Sequence, residues 1–203
     1  MTNLFLLSSP FQLLCANEAI MRFKLESNHL IVIHNGTEGN RTQMKSVIDK
    51  FGHLYSKIYF LNDETSGLIE WIKKFNCLES LISLLDPKAF YIGDYGDGLG
   101  RHIASKYKKV EVILLDDGWA TLNISNRISY NSSFNVINDY VKFAVSFFRY
   151  RLKTRRDVVF FTIFDELLEC KNIRHSFESL TTNIEVEVLE NTVYFLGSPI
   201  VED

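Results

Sequence analysis

Short apolar runs recur along the first part of this chain, at 3–7, 29–34, 57–61, 88–92 and 111–115. Each is separated from the next by a stretch whose apolar residues repeat at helical spacing. Strands that alternate with helices in this way argue for a parallel sheet covered by helices on both faces. Runs as apolar as Val112-Ile113-Leu114-Leu115 read as strands buried on both sides. No other pattern in the chain limits its fold so tightly.

The intervening segments carry their own signals. Pro10 suits the first turn of a helix with Ser9 as its cap, and that helix is expected over 10–25. A loop at 35–40 precedes a helix at 41–51, and 63–85 is helical in period. Gly93-Asp94-Tyr95-Gly96-Asp97-Gly98 reads as a glycine-rich turn before a short helix ending near Tyr107. Past Gly118 the rhythm loosens. The polar stretch 123–135 reads as a loop, 137–152 as a helix, 158–164 as a buried strand and 185–195 as a hairpin or last strand. No internal repeat or low-complexity tract interrupts the chain.

With 203 residues and 46% hydrophobic content, the chain suffices for one large domain. A formal charge of −3 argues against nucleic acid as a partner, because phosphate neutralisation needs a basic excess. Cys15, Cys77 and Cys170 are far apart and odd in number, so they are read as small core residues in a reducing cytoplasm. No run is long and apolar enough to read as a membrane span, and the N-terminus makes a poor signal peptide.

The candidate chemistry lies where the strand 111–115 ends in Asp116-Asp117-Gly118. Ligands of open parallel sheets sit beyond the carboxyl ends of the strands. Two adjacent carboxylates there repel, which raises one pKa and leaves a group usable as a base. The competing reading makes Asp117-Gly118 a turn and Asp116 the cap of the next helix.

Other strand-end residues are weaker candidates. Ser8, Ser9 and Gln12 are placed to hydrogen-bond a sugar, although capping explains them about as well. Asn35 and Gly36 sit in a polar loop, Gly93 and Asp94 in the glycine-rich turn, and Arg101 has the fork to hold a carboxylate. A plain turn followed by a solvated arginine competes with that last reading. The first strand-helix turn lacks the glycines of a dinucleotide site, and no Walker loop is present. Asp94 and Asp97 do not form an Asp-x-Asp clamp, and no cofactor or metal is expected. The basic run Arg149, Arg151, Lys153, Arg155 and Arg156 reads as a solvated helix end, a surface for anionic lipid or a grip on an anionic glycan.

Asn3-Leu4-Phe5-Leu6-Leu7-Ser8-Ser9-Pro10-Phe11-Gln12-Leu13-Leu14, followed by Asn17-Glu18-Ala19, resembles the opening of bacterial sialyltransferases of glycosyltransferase family 52. Asp116-Asp117-Gly118 resembles the acidic-acidic-glycine motif shared by several bacterial sialyl- and polysialyltransferase families. Tyr91-Ile92-Gly93-Asp94-Tyr95 and Leu196-Gly197-Ser198-Pro199-Ile200-Val201-Glu202 fit the same group. Such enzymes have two Rossmann-like domains facing across a cleft, the GT-B arrangement. The resemblance implies that 1–196 is the N-terminal, acceptor-side domain and that 197–203 begins the linker to a nucleotide-binding domain. The His-Pro motif of that second domain occurs nowhere here.

By the same resemblance the activity is inverting, metal-independent sialyl transfer from CMP-sialic acid to a glycan acceptor of lipooligosaccharide or capsule. Asp116 is then favoured as the base and Asp117 as its orienting partner, with the reverse assignment open. A transferase for another nucleotide sugar and a non-catalytic binding module are the rival readings. The expected location is the cytoplasm, with peripheral contact at the inner membrane through the basic run and homodimer formation as a further expectation.

Overall fold

The computed structural model describes residues 2–33, 37–61, 67–96, 98–130, 137–147, 149–151, 154–165, 167 and 170–181. The chain runs β1 (Asn3–Leu7), α1 (Pro10–Phe23), β2 (Asn28–Ile33), α2 (Glu38–Phe51), β3 (Lys57–Leu61), α3 (Leu68–Leu85), β4 (Ala89–Ile92), α4 (Gly98–Lys106), β5 (Glu111–Leu115), α5 (Trp119–Ser129), α6 (Ile137–Val145), β6 (Val159–Thr162), β7 (Lys171–Arg174) and α7 (Glu178–Thr181). Among the described residues the strands form one 7-stranded sheet in the order β3-β2-β1-β4-β5-β6-β7, with every pairing parallel. The fold is therefore α/β and Rossmann-like, since strand order runs outward in both directions from the β1–β4 boundary.

Period-two alternation sorts the strand side chains into two cores. Leu4, Leu6, Ile31, Phe90, Ile92, Val112, Leu114 and Phe160 share one face with Phe75, Leu78 and Ile82 of α3, Ile103 of α4 and Ile124 of α5. Phe5, Leu7, Leu30, Val32, Tyr91, Ile113, Leu115 and Phe161 pack on the other face against Leu13, Ala16 and Ile20 of α1 and Met44 of α2. Each fully buried side chain of this kind stabilises the fold by about 1.5–3 kcal/mol. The helix start at Pro10 is as expected: Ser9 is extended (φ −136°) and its hydroxyl accepts from the Gln12 N–H at 3.3 Å.

Several segments depart from the sequence expectations, among them α2, which begins at Glu38 inside the expected loop, and the unexpected short helix α7. The stretch read as a loop from 123 is helical to Ser129, because Thr121, Ile124, Ser125 and Ile128 line one buried side of α5. The polar residues around them mask that stripe in the sequence. α6 ends at Val145 rather than continuing to 152. Ser146 Oγ accepts the Tyr150 N–H at 3.0 Å while Phe147 turns left-handed at φ +53°, which sends the Tyr150 ring back into the core. β7 was not anticipated, since Lys171-Asn172-Ile173-Arg174 holds one apolar residue on an edge strand. The expected strand at 185–195 and the expected linker at 197–203 lie outside the described residues.

Gly100 lets α4 lie close to the turn after β4. A Cβ there would stand 2.5 Å from the Asp94 carbonyl oxygen and 2.9 Å from Ile92 Cγ2. The first neighbour is backbone and cannot swing aside. Gly100→Ala is expected to lower stability by about 1–2 kcal/mol in urea melts, the overpacking outweighing the gain in helix propensity.

Candidate functional site

The site lies at the carboxyl edge of the sheet, where β1 and β4 meet and the direction of strand order reverses. Crevices of open parallel sheets form at such switch points because the two flanking loops diverge there. β1 leads into Ser8 and α1, β4 into Gly93, and β5 into Asp116 and Asp117. The acidic pair thus stands at the sheet edge where open parallel sheets commonly take ligands, but its two members do different things.

Asp116 is fully buried (0% exposed). Its Oδ1 accepts the Thr162 hydroxyl at 2.7 Å and its Oδ2 accepts the Ile163 N–H at 2.6 Å. Both donors come from the end of β6, the strand paired with β5, so this carboxylate pins the two strand ends together. It does not cap α5: the residue at the cap position is Gly118, at φ +58°, and it makes no side-chain cap. An L side chain rarely adopts that backbone conformation, which explains the glycine.

Asp117 is half-buried. Its backbone N–H donates to Thr121 Oγ1 at 2.8 Å, and its Oδ1 accepts from Gln12 Nε2 at 2.7 Å. Burial pushes its carboxyl pKa up, the Asp116 charge adds to the rise, and the Gln12 hydrogen bond opposes it. A carboxylate so placed is a stronger base than a free aspartate once deprotonated.

Cys15, Asp116 and His175 form a buried trio whose donor atoms all lie within 4.8 Å of one another. Their separation in sequence hides this grouping from any spacing rule. The trio is ill-suited to a metal as it stands. Burial and the two neighbouring carboxylates hold the Cys15 thiol far above its usual range, and both Asp116 oxygens already accept hydrogen bonds. His175 Nε2 lies 3.8 Å from Asp116 Oδ2, and its ring stacks on Phe161 at 4.2 Å. Burial lowers the His175 pKa against the opposing pull of Asp116, so the ring is neutral packing at pH 7.

No family model matches the chain, and no curated protein sequence matches it. A UDP-N-acetylglucosamine 2-epimerase crystal structure is similar at 17% identity with a TM-score of 0.40, over 58% of this chain and 33% of that one. The chain therefore spans about a third of that neighbour's length.

The other predicted residues divide between the crevice and the scaffold. Ser8 is half-buried where β1 ends, Gln12 is buried on α1 and so does not face an acceptor, and Ser9 caps α1. Gly93 closes on Gln12. Asp94 is half-buried in the turn after β4, and its carbonyl oxygen is the neighbour that limits Gly100. Asn35 and Gly36 lie outside the described residues. Arg101 is neither a substrate grip nor a solvated arginine. It is buried, and it donates to Asp139 Oδ2 at 2.7 Å and to the Gly96 carbonyl at 2.6 Å. Tyr150 adds its hydroxyl to the other Asp139 oxygen at 3.2 Å, so this network ties α6 to the turn after β4.

The basic run is not a helix end, since α6 stops before it. The Arg149 guanidinium lies over the Phe75 ring at 5.1 Å and binds Asn76. Arg155 is taken up by Asp157 and by the Val110 carbonyl, while Arg151 is exposed, Arg156 is half-buried and Lys153 lies outside the described residues. No helix among the described residues is long and apolar enough to cross a membrane. The cysteines differ from expectation too: Cys15 is buried, but Cys77 is exposed and Cys170 half-buried.

Sequence reasoning passed over Trp119. It opens α5 directly after Gly118 and is 75% exposed. The signal available in the sequence was a tryptophan immediately after an acidic-glycine turn at a strand end.

Proposed function

We propose that this chain is the acceptor-side half of an inverting glycosyltransferase, with sialyl transfer from CMP-sialic acid as the favoured reaction. The observation that carries the reading is Asp117: a half-buried, oriented carboxylate of raised pKa at the switch point of a Rossmann-like sheet. The motif resemblance supplies the donor class and the second domain, and it implies a reaction without a metal.

In this reading the acceptor hydroxyl approaches Asp117 from the crevice. Asp117 takes its proton as the hydroxyl oxygen bonds to the anomeric carbon of the donor, and the bond to the CMP phosphate breaks with its electron pair on the phosphate. Inversion follows from attack opposite the leaving group. Trp119 offers a flat apolar face to an acceptor sugar ring. The base role falls to Asp117 rather than to Asp116, because Asp116 is sealed from the crevice and both its oxygens are engaged.

The test is a donor panel on the protein expressed from its intact coding frame. CMP-sialic acid and the common UDP- and GDP-sugars are each offered with galactose-terminated and sialylated acceptors, and release of free nucleotide is followed. Acceptor-dependent CMP release supports the reading. Acceptor-dependent release of UDP or GDP alone replaces sialic acid with another sugar. No turnover with any donor, together with unchanged glycan binding when Asp117 is neutralised, favours a binding module.

A further inference from the structure

We infer that Gln12 is the positioning residue for the Asp117 base, and that Gly93 is glycine because the Gln12 side chain must cross the end of β4 to reach it. The inference rests on the reading of Asp117 as the proton acceptor, and it adds two residues and an atom assignment to that reading.

The sheet order makes the crossing necessary. Gln12 is on α1, which follows β1, whereas Asp117 follows β5, and β4 lies between those two strands. A side chain reaching from one to the other must pass over the carboxyl end of β4, where Gly93 stands. A Cβ on Gly93 would be 2.3 Å from Gln12 Oε1, 2.4 Å from Cδ and 2.7 Å from Cγ. Three atoms of one side chain occupy the space that any other residue at 93 would fill. Gly93 has no positive φ that would account for the glycine by backbone strain.

The amide is oriented, not merely close. Its Oε1 accepts the Ser8 N–H at 2.8 Å and the Ser8 hydroxyl at 3.3 Å. An amide whose oxygen is held on a backbone N–H can turn only its NH₂ toward the other side, so Nε2 is a donor at the 2.7 Å contact with Asp117 Oδ1. Gln12 is itself 1% exposed, so it cannot bind an acceptor from solvent as the sequence reading supposed. With Oδ1 held by Gln12, the proton from the acceptor goes to Oδ2. Holding a reacting group in line in this way matters because a misplacement of 1 Å costs on the order of 10²-fold in rate.

The groups facing Asp117 define its titration. Burial raises its pKa, Gln12 from α1 lowers it, Asp116 on the same strand end raises it further, and Cys15 from α1 is held as the neutral thiol. His175, which follows β7, faces Asp116 and is neutral at pH 7. Gln12 is thus the hydrogen-bond donor that favours the ionised base against two opposing influences.

The experiment measures the Asp117 carboxyl directly, by carbon-detected NMR titration of the intact protein, in wild type, Gln12→Ala and Gly93→Ala. Transfer is then measured against pH on the same samples. Both variants are expected to titrate at higher pH than wild type, with the acid limb of kcat moving up in parallel. kcat should fall about 10- to 100-fold and the acceptor KM should change little. Gly93→Ala is the second variant because it evicts Gln12 without deleting it, and urea melts show which samples are folded. An Asp117 titration unchanged in both folded variants overturns the inference. So does a shifted titration with an unshifted transfer profile. A wild-type protein that transfers no sugar, with the NMR shift intact, instead overturns the reading of Asp117 as the base, and the positioning role falls with it.

Discussion

Asp117→Asn in the intact protein is expected to lower sugar transfer by about 10²- to 10⁴-fold, the usual worth of a general base. The substitution keeps an oxygen for the Gln12 amide and nearly the same volume, so the crevice retains its shape. What is lost is the capacity to take the acceptor proton. Stability should move in the opposite direction. A carboxyl whose folded pKa lies above its unfolded value costs the folded state free energy while it is ionised, and that cost fades as pH falls through the folded pKa. Asp117→Asn should therefore raise the urea midpoint at pH 7, with the advantage shrinking toward acid pH. Steady-state transfer kinetics and urea melts at two pH values check both halves. Near-normal turnover in the variant would remove Asp117 from the chemistry.

Asp116→Ala is expected to lower stability by about 2–5 kcal/mol. Two donors lose their acceptor at once, the Thr162 hydroxyl and the Ile163 N–H, at the joined ends of β5 and β6. A buried donor left unsatisfied costs about 1–3 kcal/mol. Thr162 is itself fully buried, so water does not readily replace the lost oxygen. Asp116→Asn should lose roughly half as much, because it keeps one acceptor oxygen and turns an NH₂ toward one of the two donors. Urea denaturation of the two variants beside wild type measures the difference. A loss below about 1 kcal/mol in the alanine variant would show that Asp116 does not anchor the strand ends.

The two carboxylates show how far the sequence reading reached. It found the strand end, the acidic pair and the expectation that one pKa would be raised. The motif resemblance favours Asp116 as the base and leaves the reverse assignment open, because adjacent aspartates are indistinguishable in a string of letters. The structure separates them by what stands opposite: a hydroxyl and an N–H from β6 for Asp116, a single amide from α1 for Asp117. Gln12 reads from the sequence as a polar residue able to bind a sugar at the sheet edge, but it is buried and its partner is 105 positions away in sequence. Arg101 was misread for the same reason, since its buried partner Asp139 arrives from a helix 38 positions on.

The α/β class and the parallel arrangement were determined by the sequence alone, because alternation of period two and helical spacing are local and each apolar run carries its own burial. Five of the strands could be placed within a residue or so on that basis. Strand order, and everything that depends on it, was decided by the tertiary structure. Placing β4 between β1 and β5 is what makes Gly93 the gap through which Gln12 reaches Asp117, and placing β6 beside β5 is what converts Asp116 from a candidate base into an anchor. Hydrogen bonds and charges act across a few ångströms of space whatever the distance along the chain, so the roles of these residues exist only once the strands lie side by side.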